Sequence, residues 1–467
     1  MQYQRTSARG TAGMTDIYAD RVLTAEGWRK SVRIQIRAGR IGAVATGVHA
    51  EPGDDRCGVV VPALGNLHSH AFQRGMAGLA ETAGSSADSF WSWREVMYRF
   101  ALRMNPDQLQ AIAALAYVEM MEAGFGRVGE FHYLHHDCDG TPYADVGEMA
   151  GRIAAAAEQS GIGLTLLPVF YAHSTFGGAA PSDKQRRFIS TLDRYQILLE
   201  RCRALVARLP AAIVGMAPHS LRAVTPDEML ELAALGSGSP VHIHIAEQER
   251  EVQESLAWSG QRPVAWLFDH VPVSSNWCLV HSTHVTEEET RAIAAARAIV
   301  GLCPVTEANL GDGVFPIARF LSQGGSFGIG TDSNVHISVS AELSLLEYAQ
   351  RLEHRTRNVI SMRGGDSLST GRAIMQLALS GGAQALGAGG GRIAPGEPAD
   401  LLSLDLRHPA LFSRDSDALL DSWIFASSGA VVDSVWVAGR KQVSHGRHVA
   451  RDEAQRTFNK AMQELCH

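Results

Sequence analysis

Between Ile17 and Val61 the chain reads as short β-type runs: Ala19–Leu23, Ser31–Arg37, Ile41–Ala45 and Val59–Val61. The second alternates apolar and polar positions strictly, and turns separate the four, as in a small antiparallel sheet. A matching set appears near the other end, at Ala399–Asp405, Ala430–Val437 and Lys441–Val443. Between them, strands alternate with helical stretches. The strands are Arg127–Phe131, Gly163–Val169, Ile213–Ala217, Val241–Ile245, Trp277–His281, Ala298–Cys303 and Phe327–Gly330. The helical stretches include Pro106–Ala123, Asp145–Gln159, Arg186–Ala207, Pro226–Leu235, Val264–Phe268 and Glu287–Ala296. Largely apolar strands are expected where helices cover the outer face. With the strand before His68 this makes eight β/α units, which predicts an α/β protein with a TIM-like (β/α)8 barrel. The terminal strand clusters predict one discontinuous small β domain. The expected division is 14–61 with 392–450 for that domain and 62–391 for the barrel. Residues 1–13 are expected as a flexible polar tail and 451–467 as a C-terminal helix.

Composition narrows the function classes. A chain of 467 residues, 45% hydrophobic and 19% charged, suits a soluble globular enzyme. A net charge of -7 argues against nucleic-acid and anionic-membrane partners. No stretch reaches the roughly 20 apolar residues of a membrane span, and no apolar segment follows Arg5 and Arg9 as in a secretory signal. Six cysteines form no C-x-x-C pair. That usage points to a reducing, cytoplasmic setting and leaves any metal to His and carboxylate.

The polar residues gather where barrel chemistry would need them, at strand C-terminal ends. Strand one ends in His68-Ser-His70, whose alternation turns both imidazoles to one side. Taken alone, this pair reads either as metal ligands or as two hydrogen-bonded core histidines. Strand two ends in Glu130-Phe-His132-Tyr133, strand four in His219-Ser-Leu-Arg222, and strand five in His242-Ile-His244-Ile-Ala-Glu247. Strand six ends in His281-Ser-Thr-His284 and strand eight in Thr331-Asp332-Ser-Asn334. His242, deeper in its strand, reads as structural. His284, His135 and His136 read as hydrogen-bonding scaffold.

In this order the residues resemble the amidohydrolase superfamily, and the resemblance covers nearly the whole chain. It implies a TIM-like barrel with a discontinuous β-sandwich domain. Its signature of strand-one His-x-His, strand-five His, strand-six His and strand-eight Asp falls here on His68, His70, His244, His281 and Asp332. The His244-x-x-Glu247 form resembles the mononuclear deaminase branch, and His219 stands where binuclear members carry a strand-four lysine. The resemblance implies one divalent metal on His68, His70, His244 and Asp332, with zinc the expected ion. Three neutral imidazoles and a carboxylate leave a zinc site at about +1, enough to lower the pKa of a water and supply hydroxide near pH 7. Glu247 is the expected proton shuttle, His281 orients the water or stabilises the tetrahedral intermediate, and Asp332 takes the first proton. Two blander readings stay open, Glu247 as a solvated helix-start carboxylate and His281 as a hydrogen-bonding support.

Longer segments sharpen the resemblance. Gly65–Glu81, Ser89–Tyr98, His132–Asp137 and Asp139–Tyr143 are similar to the formimidoylglutamate deiminase family. That family implies a cytoplasmic enzyme of histidine degradation, commonly a homodimer, converting N-formimidoyl-L-glutamate and water to N-formyl-L-glutamate and ammonia. A dicarboxylate substrate calls for planar cations, which Arg94 and Arg222 supply. Tyr133, Gln73 and His219 are the further substrate-binding candidates. Arg94 also reads as a helix-surface residue packed beside Trp91 and Trp93. The alternatives are a heterocycle deaminase acting on guanine, cytosine or an adenosyl thioether, and a non-catalytic scaffold.

Overall fold

The computed structural model describes residues 15–82, 90–361, 369–429 and 431–466. The expected tail 1–13 lies outside the described residues, as do Met14, Ser89, Ala430 and His467. Four strands open the chain, β1 (Ile17–Thr24), β2 (Gly27–Arg37), β3 (Arg40–Thr46) and β4 (Asp55–Pro62). The next nine segments form the barrel wall. They are β5 (Leu64–Ser69), β6 (Phe125–His132), β7 (Gly163–Phe170), β8 (Ala212–Val214) and β9 (Ala217–Pro218), then β10 (Val241–Ile245), β11 (Trp277–His281), β12 (Ile299–Leu302) and β13 (Ser326–Ile329). Four more close the sequence, β14 (Leu401–Leu404), β15 (Val432–Val437), β16 (Arg440–Ser444) and β17 (Arg447–His448).

The terminal strands make one eight-stranded sheet in the order β17-β16-β15-β14-β4-β1-β2-β3. Only the β1–β4 pair is parallel. Alternation decides which face each residue serves. Val32, Ile34, Ile36, Val60, Leu401 and Trp436 share one apolar core within the sheet. Their neighbours Val59, Val61, Leu402 and Val435 join the large core of the barrel. The sheet is thus covered on both faces at its centre.

Parallel pairing runs through β5-β6-β7-β8 and through β10-β11-β12-β13. Bridges Ser69–Asp332, Met216–Val241 and Ser220–His244 close the ring. The fourth position is split. Gly215 still donates to Leu166, whereas Met216 donates to Pro240, so the chain changes neighbours between β8 and β9. The ring is the α/β barrel with eight strand positions that the alternation predicts.

Helix boundaries move where side chains override pattern. The expected helix from Arg186 begins at Leu192, capped by Thr191. Arg187 is instead drawn inside, donating to the carbonyls of His136, Ala101 and Met104. The stretch expected from Asp145 becomes helical at Glu148. Helix Thr370–Leu386 packs on β5 and β13. A Cβ at Gly381 would stand 1.8 Å from the Phe327 carbonyl oxygen, so only glycine permits that approach. No helix among the described residues is long and apolar enough to cross a membrane.

Candidate metal and substrate site

His68 ends β5 with Ser69, His70 follows at once, His244 lies in β10 and Asp332 follows β13. The ligand-capable atoms of these four buried residues all lie within 4.8 Å of one another. His68 Nε2 stands 3.2 Å from His70 Nε2 and 3.0 Å from His244 Nε2. Asp332 Oδ1 lies 3.4 Å from His68 Nε2 and 3.3 Å from His70 Nε2.

Backbone carbonyls accept but never donate, so they set the tautomers of two rings. His70 Nδ1 donates to the Phe131 carbonyl at 2.9 Å, and His244 Nδ1 to the His219 carbonyl at 3.0 Å. Both rings therefore turn an Nε2 lone pair inward. Converging lone pairs repel one another unless a cation lies among them, so this donor set fits one divalent metal. Burial also keeps the imidazoles neutral, as ligands must be. It drives His68 down to about 3 against the hydrogen bond of Asp332, and lowers His70 and His244 as well. Burial alone would raise Asp332, but His68, His70 and His281 outweigh it and hold the carboxyl below its ordinary range.

A network laces the first barrel strand to the last. Asn66 donates to Thr331 Oγ1 at 2.6 Å and accepts from Thr331 N. Thr331 Oγ1 donates to Asn334, whose amide in turn donates to Ser69 Oγ and to the carbonyls of His70 and Asp332. Gly330 lets the strands approach, because a Cβ there would lie 2.8 Å from the His68 carbonyl oxygen. Left-handed backbone at Ala246, His281, Ser282, Asp332 and Asn334 concentrates strain around this site.

Glu247 lies between β10 and helix Glu249–Ser259 and is 4% exposed, not solvated. Its backbone N–H donates to Glu251. Its Oε1 lies 3.7 Å from His281 Nε2, which is also 3.8 Å from Asp332 Oδ2. Burial pushes the Glu247 carboxyl up to about 7, with His281 and Arg222 pulling against it. Burial would lower His281, but Glu247, Glu307 and Asp332 prevail and lift it to about 10.

Above the metal cluster opens a cavity of about 560 Å³. Gln73, Arg94, Tyr133, His219 and Arg222, all singled out in the sequence, line it together with Glu247, His281 and Asp332. Arg94 faces the cavity, and its guanidinium stacks 4.4 Å from the Trp91 ring. The Nε atoms of Arg94 and Arg222 and the Gln73 Oε1 are buried without a hydrogen-bond partner. Gln73 Nε2 donates to the Tyr133 hydroxyl at 2.9 Å.

Four further histidines bond to backbone carbonyls, while His132 Nε2 is buried without a partner. His242 bonds to Ala385, His284 to Asp312, His135 to Val169 and His136 to Ile189. Sequence reading missed Glu307, which accepts from His281 Nδ1 at 3.3 Å and from Cys303 N at 2.9 Å. It also missed the cavity-lining Tyr98 and Tyr171. For Glu307 a signal existed, an acid one turn beyond the end of β12. Tyr98 sits mid-helix and carried none.

The amidohydrolase family pattern matches residues 59–441. Residues 14–58 match the N-terminal domain of the formimidoylglutamate deiminase HutF. Formimidoylglutamate deiminase of Pseudomonas aeruginosa is 49% identical over 97% of this chain and 100% of its own length. The 5-methylthioadenosine/S-adenosylhomocysteine deaminase of Natronomonas pharaonis is 27% identical, covering 82% of this chain and 80% of its own. A crystal structure of an amidohydrolase from Brucella melitensis superposes with a TM-score of 0.93 at 56% identity, covering 97% of this chain and 100% of that one. An adenosine deaminase from Xanthomonas campestris with bound zinc shares the fold, with a TM-score of 0.80 at 22% identity over 97% of this chain and 98% of that one. With the barrel and the N-terminal strands both matched, the chain belongs to the amidohydrolase family, in its formimidoylglutamate deiminase group.

Proposed function

We propose that this chain hydrolyses N-formimidoyl-L-glutamate to N-formyl-L-glutamate and ammonia, a step of histidine degradation. The observation that carries the substrate is the pair of cavity-lining arginines, Arg94 and Arg222, each with a buried guanidinium nitrogen left without a partner. Two planar cations suit two carboxylates. A neutral heterocycle such as cytosine offers them no carboxylate.

One divalent ion, zinc by the chemistry of three imidazoles and one carboxylate, would be held by His68, His70, His244 and Asp332 and would supply a water acidic enough to attack near neutral pH. Arg94 and Arg222 bind the carboxylates and fix the formimidoyl carbon over the metal cluster. The unpartnered Gln73 Oε1 accepts an N–H of the formimidoyl group. Asp332 Oδ2 takes the first proton from the attacking water and Glu247 carries it to the formimidoyl nitrogen. His281 Nε2 donates to the oxygen of the tetrahedral intermediate, its other nitrogen held by Glu307. Glu247 then moves the proton of the intermediate's hydroxyl to its amino nitrogen, so that the C–N bond breaks, ammonia leaves and the formyl C=O forms.

The test is product analysis with purified enzyme, its metal content measured alongside. Ammonia and formylglutamate should form one to one. Formamide with glutamate would mean that a different bond is cut. Guanine, cytosine and 5-methylthioadenosine should release no ammonia, and release from one of them in place of formimidoylglutamate would overturn the proposal.

A further inference from the structure

Outside the cavity lining, a third arginine belongs to the same charge cluster. Arg250 stands on the first turn of helix Glu249–Ser259, three residues beyond Glu247. Its guanidinium carbon lies 4.3 Å from the Trp91 ring, with Arg94 at 4.4 Å and Arg222 at 5.9 Å from the same ring. Arg94 and Arg222 line the cavity, and Arg250 is 61% exposed along its side chain. Among the described residues its one ion pair is with Glu254, four residues on, and exposed pairs of this kind contribute little. The indole face is the contact that holds the guanidinium near the pocket.

Three like charges around one ring repel each other. Among the described residues, Glu254 is the one acid paired directly with any of them, while Glu251 and Glu247 act on Arg222 through space. A dianion entering the cavity relieves that repulsion. A monoanion relieves less of it.

We infer that Arg250 is a specificity-determining residue, the outermost member of an arginine cluster on Trp91 that captures dicarboxylates. The inference rests on the dicarboxylate reading of the cavity. Arg250 does not reach the reacting atoms, so it acts on encounter and on ground-state binding. Its signature is a change in KM with kcat preserved, together with a change in salt dependence.

The experiment compares Arg250→Met and Arg250→Lys with wild type, using the metal-loaded enzyme from low to high NaCl. Arg250→Met should raise KM for formimidoylglutamate about fivefold, hold kcat within about twofold, and flatten the fall of kcat/KM with salt. Arg250→Lys keeps the charge and should recover most of the loss. Glutarate binding, followed by calorimetry, reads the same capture without turnover and should weaken about fivefold in Arg250→Met. If wild type fails to hydrolyse formimidoylglutamate while glutarate binding still depends on Arg250, the activity assignment fails and the capture role stands. An unchanged KM and glutarate affinity in Arg250→Met would overturn the inference. So would equal losses in the Lys and Met variants, which would reduce Arg250 to packing on Trp91.

Discussion

The floor and the wall of the cavity are built on opposite plans. On the floor, His70 and His244 are oriented by backbone carbonyls, Asp332 is laced to His70 through Asn334, and the backbone is bent into left-handed conformations to hold them. On the wall, Arg94 and Arg222 stack near Trp91 with nitrogen atoms left over, and Gln73 keeps a spare acceptor. The floor is finished before substrate arrives, because chemistry needs fixed geometry. The wall is completed by substrate, because an unpaired buried donor rewards the ligand that pairs it and penalises one that does not.

Damage to the floor should therefore appear in kcat and metal content, and damage to the wall in KM. The largest effect is expected from His244→Ala, with the bound metal lost on elemental analysis and kcat/KM lower by at least about a thousandfold, some 4 kcal/mol. Glu247→Gln should lower kcat by about 10²–10⁴ while keeping full metal content. A Glu247→Gln enzyme with near-normal kcat would remove Glu247 from proton transfer. Asn334→Ala tests whether the lacing serves the metal. Chelator competition should show affinity weaker by about 10- to 100-fold with KM scarcely changed. Arg222→Met belongs to the wall and should raise KM about 10-fold or more with kcat near wild type. A fall in kcat alone would erase the distinction between the two regions.

The smallest effect is one of pH. His242, beneath the floor, donates Nε2–H to the Ala385 carbonyl, and burial lowers it to about 4. The folded state therefore binds fewer protons at this site than the unfolded chain. The stability it contributes is present above about pH 6.5 and is lost as pH falls toward 4. Melting curves at pH 7.5 and 5 should show His242→Gln losing less than wild type on acidification.

Much of the floor was legible in the sequence. Strand periodicity turns His68 and His70 to one side, the barrel reading puts His244 and Asp332 at the same end, and the resemblance to the amidohydrolase superfamily joined the four into one ligand set. The lacing was not legible. Asn66, Thr331 and Asn334 are ordinary polar residues until a closed ring brings β5 beside β13. The wall was readable through Arg94 and Arg222, since planar cations announce anion chemistry. Trp91 was noted only as packing, and its role in gathering three guanidiniums depends on helices far apart in sequence. Arg187 gave the opposite difficulty, a charge inside the protein that pattern reading placed within a helix.

The lacing of the first barrel strand to the last also bears on how the protein is made. His68 and His70 leave the ribosome early, His244 later, and Asp332 only with the residues just beyond the eighth strand. Until that last segment emerges and Asn334 closes onto Ser69, the early histidines have no fourth ligand and the ring stays open. A nascent chain cut short before Asp332 would carry most of the barrel and three of its four ligands.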